Sequence, residues 1–420
     1  MGLPTENVGS IPHRLLPSQS TRLVFVALCE PGWEEPLAAE LRAEFSASQL
    51  TVGSGLVTFP DPPRFPEKSR PALVWCRQAL PWSEPLSAPS INQWVETLGQ
   101  RIVAAFKDEQ CPWALLLGPA VPETNSVSPR RIALIEQGLR AWLKRKQKRL
   151  LKTLATPGIP ALEACARLQV AWTDSTTAYW SYVPRSTVQS AGAALSLFPA
   201  GMPPIANDQE APARAFSKLM EAQQRLGRSI RAGETCVDLG ASPGGWTWVA
   251  VQQGARVMAI DRSPLRTDLM QHPNVSFVKG DAFSFEPTQP IDWLLCDVAA
   301  FPQRTLELLR QWLGQRWCRN FVVTTKFKGS EGYELLPAYK ELLRSSGYEF
   351  QLRRLNANKN EMTSMGCLPS DRAQREAERL QANAPIQTVV QCTARLDYIA
   401  NHHVATDPQM MTAKGTHPRR

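Results

Sequence analysis

Apolar positions follow two different rhythms along this chain. In the first half they come as short runs broken by turns. LVFVALC (23–29) suits a buried strand, and Pro31-Gly32 marks a turn after it. Residues 33–45 read as a helix with Leu37, Leu41 and Phe45 on one face, and 55–59 as a return strand. Helical spacing returns over 91–106 through Trp94, Val95, Leu98, Ile102 and Val103, and WALLLG (113–118) reads as a strand. One long helix over 131–153 is expected next, then strands at 167–172 and 178–183. Prolines crowd residues 60–90, where irregular loops are expected, and 199–212, which reads as a linker.

From residue 213 strands and helices alternate. A helix over 214–226, with Phe216, Leu219, Met220 and Leu226 on one side, stops at Gly227. Strands are expected at 236–239, 256–260, 275–278, 292–296, 321–325 and 349–355, with helices from 244, over 304–313 and over 334–345. That alternation predicts an α/β, mostly parallel, doubly wound sheet. The chain divides into a disordered tail (1–21), an N-terminal α+β region (22–200), a linker (201–212) and the α/β domain (213–366). A C-terminal extension (367–420), partly disordered, opens with a charged helix over 370–381.

Composition narrows the possibilities. A length of 420 residues exceeds one hydrophobic core. The 35 prolines exceed the usual share of ~5% and reinforce the loop and linker readings. No apolar run nears the ~18 residues of a membrane span, and the N-terminus has no signal-peptide core. A soluble, cytoplasmic protein with no membrane partner is expected. The nine cysteines form no CxxC pair and the five histidines are scattered, which argues against a metal site and against a disulfide framework. The net charge of +9 favours a phosphate-rich partner.

The chemistry gathers at strand ends, where doubly wound sheets bind ligands. The first strand of the α/β domain runs into CVDLGASPGGW. Its Asp238, Gly240, Ser242, Pro243, Gly244, Gly245 and Trp246 form a candidate cofactor turn. Glycines let backbone approach a ligand closely. The acidic Asp238 repels phosphate and favours a cationic amino acid or sulfonium. Asp261 follows the second strand, where a carboxylate can bond ribose hydroxyls, and Asp281 follows the third, suited to an adenine amino group. Asp297 ends the fourth.

DLGASPGGW, with Trp293–Asp297 and WLGQRWCRNFVVTTK downstream, resembles the FtsJ-like ribose methyltransferases. The resemblance spans about 213–366 and touches the N-terminal half best at PGWEEPLAAEL (31–41). It implies a Rossmann-like catalytic domain, S-adenosyl-L-methionine as cofactor and an N-terminal THUMP-like RNA-binding region. It also implies a substrate: a ribose 2′-hydroxyl of large-subunit (23S) ribosomal RNA or its precursor. A Lys-Asp-Lys-Glu tetrad comes with the family, and residue by residue it falls on Lys218, Asp297, Lys326 and Glu361. A ribose hydroxyl is a poor nucleophile until a base takes its proton, and lysine serves only when burial or a second cation lowers its pKa. Lys326 is the candidate base, with Lys218 as the second cation and both acids orienting the ammonium groups. Lys328, two residues on, competes for that role but better suits RNA phosphate. The family position for a cofactor-contacting Ser is Ala215 here, which leaves only backbone to serve.

The expected helix over 131–153 turns strongly basic. Lys144, Arg145, Lys148 and Arg149 are candidate RNA contacts, against the plain alternative of a solvated face. Two other functions remain open. A base methyltransferase would carry an Asp/Asn-Pro-Pro-aromatic motif where this chain has CDVAAFP. A non-catalytic RNA-binding or ribosome-assembly factor would have no use for the tetrad.

Overall fold

Fifteen strands, in two sheets, carry the described part of the chain. The computed structural model describes residues 23–60, 72–106, 111–122, 127–155, 165–185, 187–188 and 194–369. The expected N-terminal tail and the helix over 370–381 lie outside them.

The first sheet contains β1 (Val24–Leu28), β2 (Thr51–Gly53), β3 (Leu56–Pro60), β4 (Gln78–Ser87), β5 (Trp113–Pro119), β6 (Leu154–Ala155), β7 (Ala166–Trp172) and β8 (Thr177–Val183). Its order is β2-β3-β1-β4-β8-β7-β5-β6. The helix Glu34–Phe45 buries Leu37 and Leu41 against one part of the sheet, as the spacing predicts. The helices Ile91–Phe106 and Pro129–Lys146 bury Trp94, Leu98, Ile135 and Leu139 over another.

Two expectations fail here. The proline-dense stretch contains β4, a ten-residue strand in the middle of the sheet rather than a loop. Prolines cannot donate to a ladder and normally exclude central strands. A bulge accommodates Pro81: Val24 faces Ser83 and Val26 faces Leu80, so Pro81 and Trp82 share the position opposite Phe25, while Pro85 lies past the end of the β1 pairing, opposite Tyr179 of β8. Trp82 takes φ 51° there, and Ser181 of β8 donates its hydroxyl to the Pro81 carbonyl. Nor is the basic helix continuous. It breaks at Gln147 (φ −147°, ψ 62°) into Pro129–Lys146 and Lys148–Thr153. The break turns Leu150 fully into the core, where its carbonyl accepts the indole N–H of Trp113 at 2.9 Å.

The second sheet contains β9 (Thr235–Leu239), β10 (Arg256–Asp261), β11 (Val275–Lys279), β12 (Ile291–Cys296), β13 (Cys318–Lys326), β14 (Glu349–Arg353) and β15 (Glu361–Cys367), ordered β11-β10-β9-β12-β13-β15-β14. β9 to β13 pair in parallel, while β15 is antiparallel between β13 and β14. The helices Phe216–Leu226 and Gly245–Gln252 cover one face, and Pro302–Gly314 and Leu336–Ser345 the other. This is the Rossmann-like, doubly wound arrangement. Its topological switch lies between β9 and β12, where the chain reverses its direction of travel across the sheet.

Both sheets belong to one compact unit and share one apolar cluster. Trp75 stacks on Trp33 (centroids 4.6 Å apart) and packs against Tyr333 (5.0 Å) of the second region. Lys340 reaches back to Glu40 at 3.0 Å, and Arg354 N–H donates to the Val74 carbonyl at 2.7 Å. The stretch expected as a linker starts as a packed turn, Pro199–Gly201, held by Arg77 on the Ala200 carbonyl and Arg225 on the Gly201 carbonyl, both at 2.8 Å.

Candidate active site

The turn after β9 is shaped by its glycines. Gly240 sits at φ 71°, and a Cβ there would meet Val298 at 2.8 Å. Only glycine lets the ends of β9 and β12 approach this closely at the switch. Gly244 (φ 112°) caps the helix Gly245–Gln252 against Leu269. Trp246 is buried, and its indole N–H donates to the Ala215 carbonyl at 2.8 Å. It therefore braces the turn from behind and takes up the backbone oxygen that sequence left available at Ala215. Ser242 donates its hydroxyl to the Pro264 carbonyl at 2.9 Å and its N–H to Asp261 at 3.0 Å, while Pro243 is exposed.

The aspartates occupy successive strand ends in different environments. Asp238 is buried and accepts the Thr247 hydroxyl at 2.7 Å. Burial pushes its pKa up to about 7, helped by neighbouring Asp297 and opposed by the Thr247 hydrogen bond. Asp261 accepts backbone N–H groups from Ser242 and Ser263, which fix its carboxylate and leave lone pairs for hydroxyl donors. Asp281 is more open, next to Gly280, whose missing Cβ faces free space. The N–H of Phe283 and the Arg262 guanidinium at 2.9 Å hold its carboxyl below the usual range. Arg304 lies over the Phe283 ring at 4.1 Å. A row of carboxylates at β10, β11 and β12, with a glycine turn beside it, fits a ligand bearing ribose hydroxyls, an amino group and a positive charge.

Lys218, Asp297, Lys326 and Glu361 come together as one cluster. Lys218, on the helix Phe216–Leu226, is 7% exposed. Its Nζ lies 2.6 Å from Glu361 Oε2 and 3.2 Å from both Asp297 oxygens. Lys326 Nζ donates to the Asp297 carbonyl at 2.8 Å and lies 3.4 Å from its Oδ1. Ladder register explains the meeting of Lys326 and Glu361: they are direct partners across β13 and β15. The four formal charges cancel.

Sequence reasoning missed Asn358. It is buried, donates to Glu361 Oε2 at 2.9 Å, and its own oxygen accepts from Leu355 N and Thr363 Oγ1. It thereby fixes the carboxylate that holds Lys218. The three asparagines in NANKNE were its only signal. Lys326 and Lys328 line a cavity of about 400 Å³ with Ala299, Phe301, Arg304 and Glu331. Lys144, Arg145, Lys148 and Arg149 are not part of this cluster. They are exposed on the helices beside the first sheet, with Arg149 donating to the Phe106 carbonyl at 3.0 Å. Among the described residues no group of His, Cys, Asp and Glu is placed to hold a metal, and no helix is long and apolar enough to cross a membrane.

Residues 211–326 match the FtsJ-like methyltransferase family model. Strand order, crevice and match together define an S-adenosyl-L-methionine-dependent methyltransferase. Ribosomal RNA large subunit methyltransferase M of Thauera aminoaromatica is 30% identical over 371 residues, covering 80% of this chain and 93% of that protein. The protein of that name from Cellvibrio japonicus (strain Ueda107) is 30% identical over 319 residues, covering 73% and 86%. This chain belongs to the ribosomal RNA large subunit methyltransferase M family. Among solved structures, a possible methylase from Clostridium difficile 630 aligns with 83% of this chain and 98% of its own at 11% identity. Its TM-score is 0.31, too loose a likeness to add to these.

Proposed function

We propose that this protein methylates a ribose 2′-hydroxyl of 23S ribosomal RNA or its precursor, in the cytoplasm, with Lys326 as the base. The supporting observation is the convergence of Lys218, Asp297, Lys326 and Glu361 beside the crevice. S-adenosyl-L-methionine, when bound, supplies an electrophilic methyl group on a positively charged sulfur. Asp261 and Asp281 would hold its ribose and adenine, with the Gly240–Gly245 turn beneath.

The cluster's charges suit the reaction. Glu361 and Asp297 are both engaged by the buried Lys218, so Lys326 shares Asp297 rather than owning a carboxylate. A neutral Lys326 leaves the cluster at −1, which a cationic cofactor offsets. Lys326 Nζ then accepts the hydroxyl proton, and the Asp297 carbonyl fixes where that nitrogen sits. Attack is in line, with positioning as the main source of rate. In amine methylation neither lysine would have a task.

In this reading, residues 213–366 are the catalytic domain, and 22–200 are a THUMP-like region that brings RNA to it. Lys144, Arg145, Lys148, Arg149 and Lys328 contact phosphate. Methyl transfer to unmethylated 23S transcript by wild type and Lys326→Ala tests the base. A loss of about 10²- to 10⁴-fold is expected with cofactor binding retained. Equal rates would remove Lys326 from the mechanism.

A further inference from the structure

We propose that Phe301 is the platform on which the target nucleobase stacks while its ribose is presented to Lys326. The inference rests on the ribose-methylation reading and adds how the substrate is gripped. Phe301 is 70% exposed, the most exposed large apolar side chain among the described residues. Leaving so large a side chain in water forgoes burial energy, and a single exposed apolar residue alone would mean little. Its surroundings give it meaning. It lines the same cavity as Lys326, Lys328, Arg304 and Glu331, so an aromatic face shares one hollow with three cations and a single carboxylate. At about 400 Å³ the hollow falls within the ~300–1,000 Å³ of small-ligand sites.

The backbone that carries the ring is held in place. Phe301 directly precedes Pro302, which starts the helix Pro302–Gly314 and confines Phe301 to extended backbone, φ −64° and ψ 145°. Its carbonyl accepts the helix's first N–H groups, from Arg304 and Thr305. Pro302 is buried, and its carbonyl accepts the Tyr339 hydroxyl at 2.6 Å. The side chain thus projects from a fixed mount four residues beyond Asp297. One nucleotide satisfies the whole hollow: base on Phe301, 2′-hydroxyl at Lys326, flanking phosphate at Lys328. Stacking tolerates any base, so target choice would come from elsewhere in the RNA.

The test is steady-state methyl transfer to an unmethylated 23S transcript by wild type and by Phe301→Ala, Phe301→Leu, Phe301→Tyr and Phe301→Trp. Phe301→Ala and Phe301→Leu should each lose about 5- to 150-fold in kcat/KM for RNA, the range for removing one base–aromatic stack. Phe301→Tyr and Phe301→Trp should stay close to wild type, and the KM for S-adenosyl-L-methionine should not move. Phe301→Leu equal to wild type would overturn the proposal, as would Tyr and Trp variants no better than Ala. Those failures leave ribose methylation standing. A wild type that transfers nothing to the transcript would remove the function itself and this proposal with it.

Discussion

Replacing Lys218 with methionine probes the electrostatic centre of the site. The side chain is only 9% exposed and bridges two carboxylates that are themselves 11% and 14% exposed. Methionine keeps the bulk and deletes the charge, which leaves Glu361 and Asp297 facing each other across an apolar plug. Breaking a buried ion pair from one side costs about 3–5 kcal/mol, because the stranded charge loses its partner without regaining water. Lys326 remains 3.4 Å from Asp297 and softens the loss, so the lower end applies. At ~2 °C per kcal/mol for a large domain, about 3 kcal/mol lowers the thermal transition by roughly 6 °C. Scanning calorimetry at neutral pH reads this directly. The double variant Lys218→Met/Glu361→Gln should regain part of the deficit, since one of the opposed charges is then gone. A loss below ~1 kcal/mol would place Lys218 among ordinary solvated lysines and refute the cluster as an energetic unit.

Asp238→Asn should raise stability by an amount that depends on pH. The folded pKa of Asp238 is raised, so its contribution is full in acid and is lost as pH climbs from about 4 to 7. The variant's advantage should therefore grow between pH 5 and pH 8 to a few kcal/mol; the same advantage at both would contradict a buried, neutral-leaning carboxyl. Replacing Lys144, Arg145, Lys148 and Arg149 together with alanine should weaken RNA binding and reduce its salt slope by up to about 3. An unchanged slope in a salt titration would return those residues to the role of a solvated face.

Most of the second sheet could be read from sequence because its parallel strands are continuous apolar runs flanked by helical spacing. β12 and the core of β13 show this plainly. β15 could not. Glu361, Thr363 and Ser364 break any apolar pattern, yet the whole strand is buried, because it lies between β13 and β14 in the sheet. β4 was hidden by its prolines: a bulge absorbs Pro81, and Pro85 lies where β4 no longer pairs with β1. The break at Gln147 was equally hidden, since basic side chains run on both sides of it and only Leu150 turns inward. At the site, the resemblance supplied the four residues, but not how they meet. The pairing of Lys326 with Glu361 is a consequence of strand register, and the hold of Asn358 on Glu361 depends on a tight turn. Trp246 carries a bracing contact that the cofactor motif did not announce: its indole N–H reaches the Ala215 carbonyl and supports the turn.

The position of the transferred methyl group decides the central claim. Unmethylated 23S transcript would be incubated with the full chain and labelled S-adenosyl-L-methionine, digested to nucleosides, and the label assigned by mass to ribose or base. Ribose methylation predicts a 2′-O-methylnucleoside and an adjacent phosphodiester resistant to alkali, both absent with Lys326→Ala. Label on a nucleobase, with the riboses unmodified, would contradict it.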